Sequence, residues 1–99
     1  QFTIELPENV SEGTYANMAI IAHSSSEFIL DFVRNMPGVP KAKVKSRIIL
    51  NTEQAKRLLL SLQDNIAKYE AKFGEIEIPG SNKANIPFGL AVLKERHKP

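Results

Sequence analysis

Apolar residues recur at helical spacing along one long segment of the chain, residues 51–74. Its apolar positions are separated by alternating steps of four and three residues: Ala55, Leu59, Leu62, Ile66, Tyr69 and Phe73. A stripe of this kind is typical of a helix that lays one face on a core. Asn51 suits the N-cap and Gly74 the C-terminal turn, so we predict one amphipathic helix between them.

The back of this helix carries a second, smaller apolar stripe. At about 100° per residue, Leu60, Ala67 and Ala71 fall opposite Leu62. Two interpretations stay open. Alanine is a good helix former and a single exposed leucine is ordinary, or else this side is covered by a partner subunit or by the C-terminal tail.

Four segments before the helix alternate with the period of two residues that indicates strands. They are residues 2–6, 15–23, 27–33 and 41–50. Residues 15–23 are apolar on both alternating sets, which predicts a strand covered on both faces. We therefore predict an α+β domain in which a four-stranded antiparallel meander packs against the helix. Residues 75–78 could form a further short strand.

One helix can cover only one face of such a sheet. In the third strand Phe28, Leu30 and Phe32 are expected to face the core, which leaves Ile29 and Val33 on the other side. We therefore expect a homo-oligomer, a dimer or a tetramer. The candidate oligomer interface consists of Ile29, Val33, Leu60, Ala67 and Ala71.

The chain has 99 residues, enough for one domain, which we place at residues 1–78. Residues 79–99 are interpreted as a linker and tail with a short apolar patch at residues 88–93. That patch could dock on its own helix or reach a neighbouring subunit.

Charge is distributed unevenly although the net charge is only +2. Residues 1–33 carry five acidic side chains and no Lys or Arg, whereas residues 34–57 carry seven Lys or Arg against one Glu. The clearest feature is a candidate basic face on the fourth strand, formed by Lys43, Lys45 and Arg47. Such a face suits phosphates, a partner subunit or plain solvation.

Several classes of function lack their usual residues. There is no cysteine, the glycines are scattered, and no run approaches the length of a membrane span. The first ten residues also lack the pattern of a signal peptide, so we expect a cytoplasmic protein with no membrane association. His23, Glu27 and Asp31 surround one hairpin turn and could meet as acid and base, but no nucleophile accompanies them. We expect no catalytic residues, metal or cofactor, and no enzymatic activity.

Residues 15–74 resemble a family of small bacterial and archaeal proteins grouped as a domain of unknown function. The positions that match its motif are Tyr15, Asn17, Ser24, Glu27, Phe28, Leu30, Asp31 and Phe32. The resemblance implies no activity. The order of strands and helix is also similar, at the level of topology alone, to the export chaperone SecB, a tetramer that holds unfolded chains.

Two functions remain beside that of an inert domain. The first is an oligomeric protein-binding or chaperone-like module, favoured by the doubly apolar strand and the two-striped helix. The second is a nucleic-acid-associated factor, favoured by the basic strand.

Overall fold

The computed structural model describes residues 1–80, which contain two helices and three strands. In chain order these are α1 (Glu8–Ser11), β1 (Met18–His23), β2 (Glu27–Arg34), β3 (Lys43–Asn51) and α2 (Thr52–Phe73). The chain divides into two compact units, residues 1–62 and residues 63–99. The apolar patch predicted at residues 88–93 lies outside the described residues.

The three strands form one antiparallel sheet in the order β1-β2-β3. The predicted α+β class is therefore confirmed, but the structure has three strands where four were predicted. Residues 2–6 follow the strand pattern yet pair with nothing in the described chain, and Phe2 and Ile4 are more than four-fifths exposed (85% and 83%). Residues 75–78 also form no strand. An alternating sequence is not sufficient for a strand, because its backbone groups also need a sheet edge to pair with.

The β1–β2 hairpin is closed by Ser24. Its amide donates to the carbonyl of Glu27 at 2.9 Å, which leaves only Ser25 and Ser26 in the loop. The Ser24 hydroxyl accepts from the amides of Ser26 and Glu27, both at 3.3 Å. A serine side chain that satisfies turn amides in this way explains why a two-residue loop forms without glycine.

Asn17 fastens the other end of the same hairpin. Its side-chain Nδ2 donates to the carbonyl of Asn35 at 2.8 Å, and its Oδ1 accepts from the Asn35 amide at 2.9 Å. The Asn17 amide also donates to the carbonyl of Val33. One side chain thus joins the start of β1 to the end of β2 across 18 positions of sequence.

Both predicted caps of the long helix are confirmed. The Asn51 Oδ1 accepts from the Gln54 amide at 2.7 Å. At the other end Gly74 has a φ of +97°, and its amide donates to the carbonyl of Glu70. Gly74 therefore takes a left-handed conformation that a side chain would strain.

The helix does not bury the stripe that its sequence provides. None of its 22 residues is buried, and Leu62 and Ile66 remain 54% and 40% exposed. The predicted packing of this stripe on a core is therefore not seen in the described residues. Within residues 1–62 the physical reason is the connection between strand and helix. Strand β3 ends at Asn51 and the helix begins at Thr52, so no turn residues lie between them that could reverse the direction of the chain.

The core of the described chain is correspondingly small. Its only buried apolar side chains are Leu30 and Val33, at 7% and 4% exposure, and both belong to the central strand β2. Phe28, Ile29 and Phe32 are half-buried. Burial among residues 1–80 therefore comes from the middle of the sheet.

Candidate interaction surface

One face of the sheet, here called the phenylalanine face, is apolar across all three strands. The pairing of strands places Ile21, Leu30 and Ile48 side by side across its centre. Its members are Ala19, Ile21, His23, Phe28, Leu30, Phe32, Ser46, Ile48 and Leu50. Ile21 and Ile48 are 62% and 43% exposed, and a shallow cavity of about 400 Å³ opens beside Phe32, Ser46 and Ile48. The phenylalanine face is therefore an apolar surface that remains exposed to solvent in the single chain.

The opposite face, here called the Asp31 face, is also largely apolar. Its members are Met18, Ile20, Ala22, Ile29, Asp31, Val33, Val44, Arg47 and Ile49. Ile20 and Ile49 are each 54% exposed. Strand β1 was predicted to be covered on both faces, but all six of its residues are exposed in the single chain.

An ion pair stands in the middle of the Asp31 face. Arg47 lies directly across from Asp31 in the strand register, and its Nε and Nη2 donate to Oδ1 and Oδ2 at 2.7 and 2.8 Å. The Asp31 side chain is only 15% exposed, whereas that of Arg47 is 60% exposed. Hydrogen bonding from Arg47 holds the pKa of Asp31 below its ordinary value of 3.8, and the same contact raises the pKa of Arg47. The two-pronged geometry favours this register of β2 against β3.

We expect this ion pair to make stability depend on acid pH. Because the pKa of folded Asp31 is lowered, the unfolded chain binds the proton first. The pair's contribution is therefore complete above the ordinary value of 3.8 and is lost as the pH falls through the lowered value. Melting temperatures of the parent and of Asp31→Asn should differ most near about pH 6 and converge toward about pH 3.

Glu53→Gln is the matched control for this measurement. It removes the exposed Arg57–Glu53 pair of the helix, whose side chains are 68% and 69% exposed. Solvent-exposed pairs of this kind contribute little to stability, so we expect Glu53→Gln to change the melting temperature less than Asp31→Asn does. A gap between the parent and Asp31→Asn that stays constant across the pH range would contradict the assignment.

A β-bulge at Lys45 divides the predicted basic face. Phe32 pairs with Ser46 but Val33 pairs with Val44, so β3 has one extra residue at this point. Arg47 therefore lies opposite Asp31, while Lys43 lies opposite Arg34. Asp31 and Arg34 are three residues apart on β2 and therefore point to opposite faces, as do their partners Arg47 and Lys43. The prediction of three cations on one face is therefore wrong.

A different group of cations comes together instead, here called the basic cluster. It consists of Arg34, Lys41, Lys43 and Lys45, which surround a surface cavity of about 220 Å³ together with Met36 and Val39. The Arg34 guanidinium carbon also lies 5.7 Å from the centre of the Tyr15 ring, a cation–π contact. The sequence places Arg34 and Lys41 in the basic stretch of residues 34–57, where they can extend the basic face, and the pairing of β2 with β3 brings them to Lys43 and Lys45.

The suggested meeting of His23, Glu27 and Asp31 does not occur. His23 pairs with Phe28, and their rings lie 5.4 Å apart. His23 is therefore on the phenylalanine face, whereas Asp31 is on the opposite face in its ion pair with Arg47. Within residues 1–80 no group of His, Asp and Glu side chains could hold a metal ion.

The residues of the predicted oligomer interface are differently placed. Val33 is buried within its own chain and Ile29 is half-buried, so neither contributes much to the exposed surface. Leu60 is 51% exposed, and Ala67 and Ala71 are exposed. The most open apolar side chains of the sheet are instead on the edge strands.

The motif residues that carried the resemblance have structural roles in the described chain. The Tyr15 ring contacts Arg34, Asn17 joins the two ends of the hairpin, and the Ser24 hydroxyl accepts hydrogen bonds in its turn. Leu30 packs in the core, and Asp31 forms the ion pair with Arg47. The motif therefore maintains the hairpin and its pairing with β3.

Together these features define a small α+β module with a three-stranded sheet that is apolar and open on both faces. The chain belongs to the family described as "Protein of unknown function (DUF3467)", whose model matches residues 1–78. No curated protein and no solved structure matches the chain. The topological likeness to SecB therefore stays a prediction. No helix in the described part of the chain is long and apolar enough to cross a membrane.

Proposed function

We propose that this protein is a non-enzymatic homo-oligomer that binds other proteins through apolar surface, in the manner of a chaperone. The observation that carries the proposal is the exposure of both sheet faces. Ile21 and Ile48 on one side and Ile20 and Ile49 on the other all remain more than two-fifths exposed in the single chain.

The energetics favour association of chains. A small sheet needs a covered apolar face to be stable by itself, and ordering the backbone carries a large entropic cost. With Leu30 and Val33 as its only buried apolar side chains, the described chain has little core to offset that cost. Contact with a second copy would bury the open isoleucines and stabilise the fold at the same time.

Opposite charges on the same chain further support pairing of identical copies. The first 33 residues carry only acidic charges, whereas the basic cluster lies on the end of β2, the following loop and β3. Two copies related by a two-fold axis can place each acidic region against the basic region of the other. Apolar surface left open by that assembly would serve to hold apolar segments of other proteins.

Light scattering at micromolar concentration tests the assembly. We expect a mass of about 22 kDa for a dimer or about 44 kDa for a tetramer, from a chain of 11.0 kDa. The apparent melting temperature should also rise with protein concentration, because unfolding is then coupled to dissociation. A single-chain mass with a concentration-independent melting temperature would overturn the proposal.

Binding of an unfolded chain tests the chaperone-like part. Reduced and alkylated α-lactalbumin is a suitable probe because it stays unfolded without denaturant. We expect it to bind, with little weakening by added salt, since apolar contacts are not screened. Absence of binding by the intact oligomer would leave a structural assembly and remove the chaperone-like function.

A second candidate function rests on the basic cluster. Four cations around one cavity, with Tyr15 beside Arg34, fit a phosphate backbone and one stacked base. Lys41→Glu, Lys43→Glu and Lys45→Glu together should then abolish retention of labelled DNA or RNA, and retention by the parent should fall steeply with salt. No retention by the parent at low salt would exclude this function.

A further inference from the structure

Residues 2–6, here called the N-terminal arm, have the composition of a strand but pair with no strand in the described part of the chain. Phe2, Ile4 and Leu6 alternate with Thr3 and Glu5, and these three apolar side chains are 85%, 83% and 69% exposed. Pro7 and the short helix α1 follow at once, so the arm is separated from β1 by a distinct segment. Its backbone forms no ladder with the sheet of the described chain, in which β1 and β3 are the two edges.

We infer that the N-terminal arm adds as a fourth strand to the free edge of β3 in a second copy of this chain, an inference that rests on the proposed homo-oligomer. The arm of the second copy pairs reciprocally with the first. Exchange of identical arms about a two-fold axis gives a closed dimer. The main-chain hydrogen bonds supply affinity and the alternating side chains set the register.

Charge selects the edge of β3 over that of β1. Strand β1 carries no Lys, Arg, Asp or Glu, whereas β3 carries Lys43, Lys45 and Arg47. The arm contains Glu5 and is followed by Glu8 and Glu12. Opposite charges on neighbouring strands are favourable, so the acidic arm complements the basic edge.

The same charges disfavour the competing association of two β3 edges. Such pairing would bring the three cations of one copy next to those of the other, and like charges on neighbouring strands are destabilising. An acidic strand meets no such repulsion. The charges on β3 therefore disfavour pairing with a second β3 edge and allow pairing with the N-terminal arm.

Side-chain alternation is compatible with this pairing. The phenylalanine face of β3 presents Ile48 and Leu50, and the other face presents Arg47. An arm with Phe2, Ile4 and Leu6 beside Ile48 and Leu50 places Glu5 on the side of Arg47. The guanidinium has five donors, and the bonds to Asp31 engage two of its nitrogens. The added strand would thus widen the phenylalanine face and cover Ile48.

Crosslinking between separate chains tests the inference directly, because the protein contains no cysteine of its own. Thr3→Cys marks the arm on its polar side, Ile49→Cys marks β3 on the Asp31 face, and Ile20→Cys marks β1 on the same face as the matched control, since both isoleucines are 54% exposed. Isotopically labelled Thr3→Cys is refolded together with either unlabelled partner and treated with a short bismaleimide. Mass spectrometry then identifies labelled–unlabelled pairs, which can form only between two chains.

We expect the Thr3→Cys and Ile49→Cys mixture to give at least about tenfold more mixed crosslink than the Thr3→Cys and Ile20→Cys mixture. Equal or greater crosslinking to Ile20→Cys would overturn the inference. So would a dimer by light scattering with no mixed crosslink in either mixture, although the proposed oligomer would then stand. A single-chain mass by light scattering overturns both.

A proline substitution gives a second measurement that does not depend on cysteine placement. Thr3→Pro and Ile4→Pro are combined, because neighbouring residues of a strand direct their amides to opposite sides, so one of the two donors faces the partner strand and its ladder hydrogen bond is lost. We expect the dimer dissociation constant to rise at least about tenfold, while Ile78→Pro, outside both the arm and the sheet, leaves it unchanged. An unchanged constant in the double proline variant would also overturn the inference.

Discussion

Ile48→Asp should convert the oligomer into single chains. In the isolated chain Ile48 is 43% exposed, so an aspartate there still reaches solvent. In an assembly that covers the phenylalanine face the same carboxylate would be buried without a partner. A penalty on the order of 3 kcal/mol corresponds to a dissociation constant raised about 100-fold. Light scattering over a dilution series measures it.

Ile78→Asp is the matched control for this substitution. Ile78 is 47% exposed and lies outside the sheet, so the change in chemistry and exposure is nearly the same. We expect its dissociation constant to equal that of the parent. An Ile48→Asp variant with the parent's mass across the whole dilution series would show that the phenylalanine face is not an interface.

Leu30→Ala should have the largest effect on folding itself. Leu30 is 7% exposed at the centre of the middle strand, between Ile21 on β1 and Ile48 on β3. Removing a buried leucine side chain typically costs about 2–5 kcal/mol, because apolar surface is lost and a cavity remains. For a core with so few buried residues, that is enough to leave a large unfolded fraction.

Urea denaturation at one fixed protein concentration measures this loss, since dissociation and unfolding are coupled. Ile78→Ala serves as the control and should change the free energy of unfolding by less than about 0.5 kcal/mol. A midpoint for Leu30→Ala equal to that of the control would show that the sheet is held by other contacts.

Exposure of the helix stripe changes how a substitution there should be interpreted. The sequence alone predicts a large cost for Leu62→Ala, but Leu62 is 54% exposed in the single chain. Loss of an exposed side chain is usually worth little. A large and concentration-dependent cost for Leu62→Ala would therefore indicate that the stripe packs against another chain.

The sequence by itself determined the local elements of this protein. Strands β1, β2 and β3 and the long helix α2 follow from alternation and helical spacing, and both caps of α2 follow from Asn51 and Gly74, whereas the four-residue helix α1 was not predicted. These features depend on neighbouring residues within one strand, one turn or one helix. Local preferences and side-chain hydrogen bonds are sufficient to specify them.

Only the tertiary structure decided which elements pair and what they cover. The bulge at Lys45 sends Lys43 and Arg47 to opposite faces, and the register joins Asp31 to Arg47 and separates it from His23. The N-terminal arm has the pattern of a strand but no partner in the described chain. Pairing and burial depend on contacts between distant segments, and a periodic pattern states that a face is apolar without stating which chain covers it.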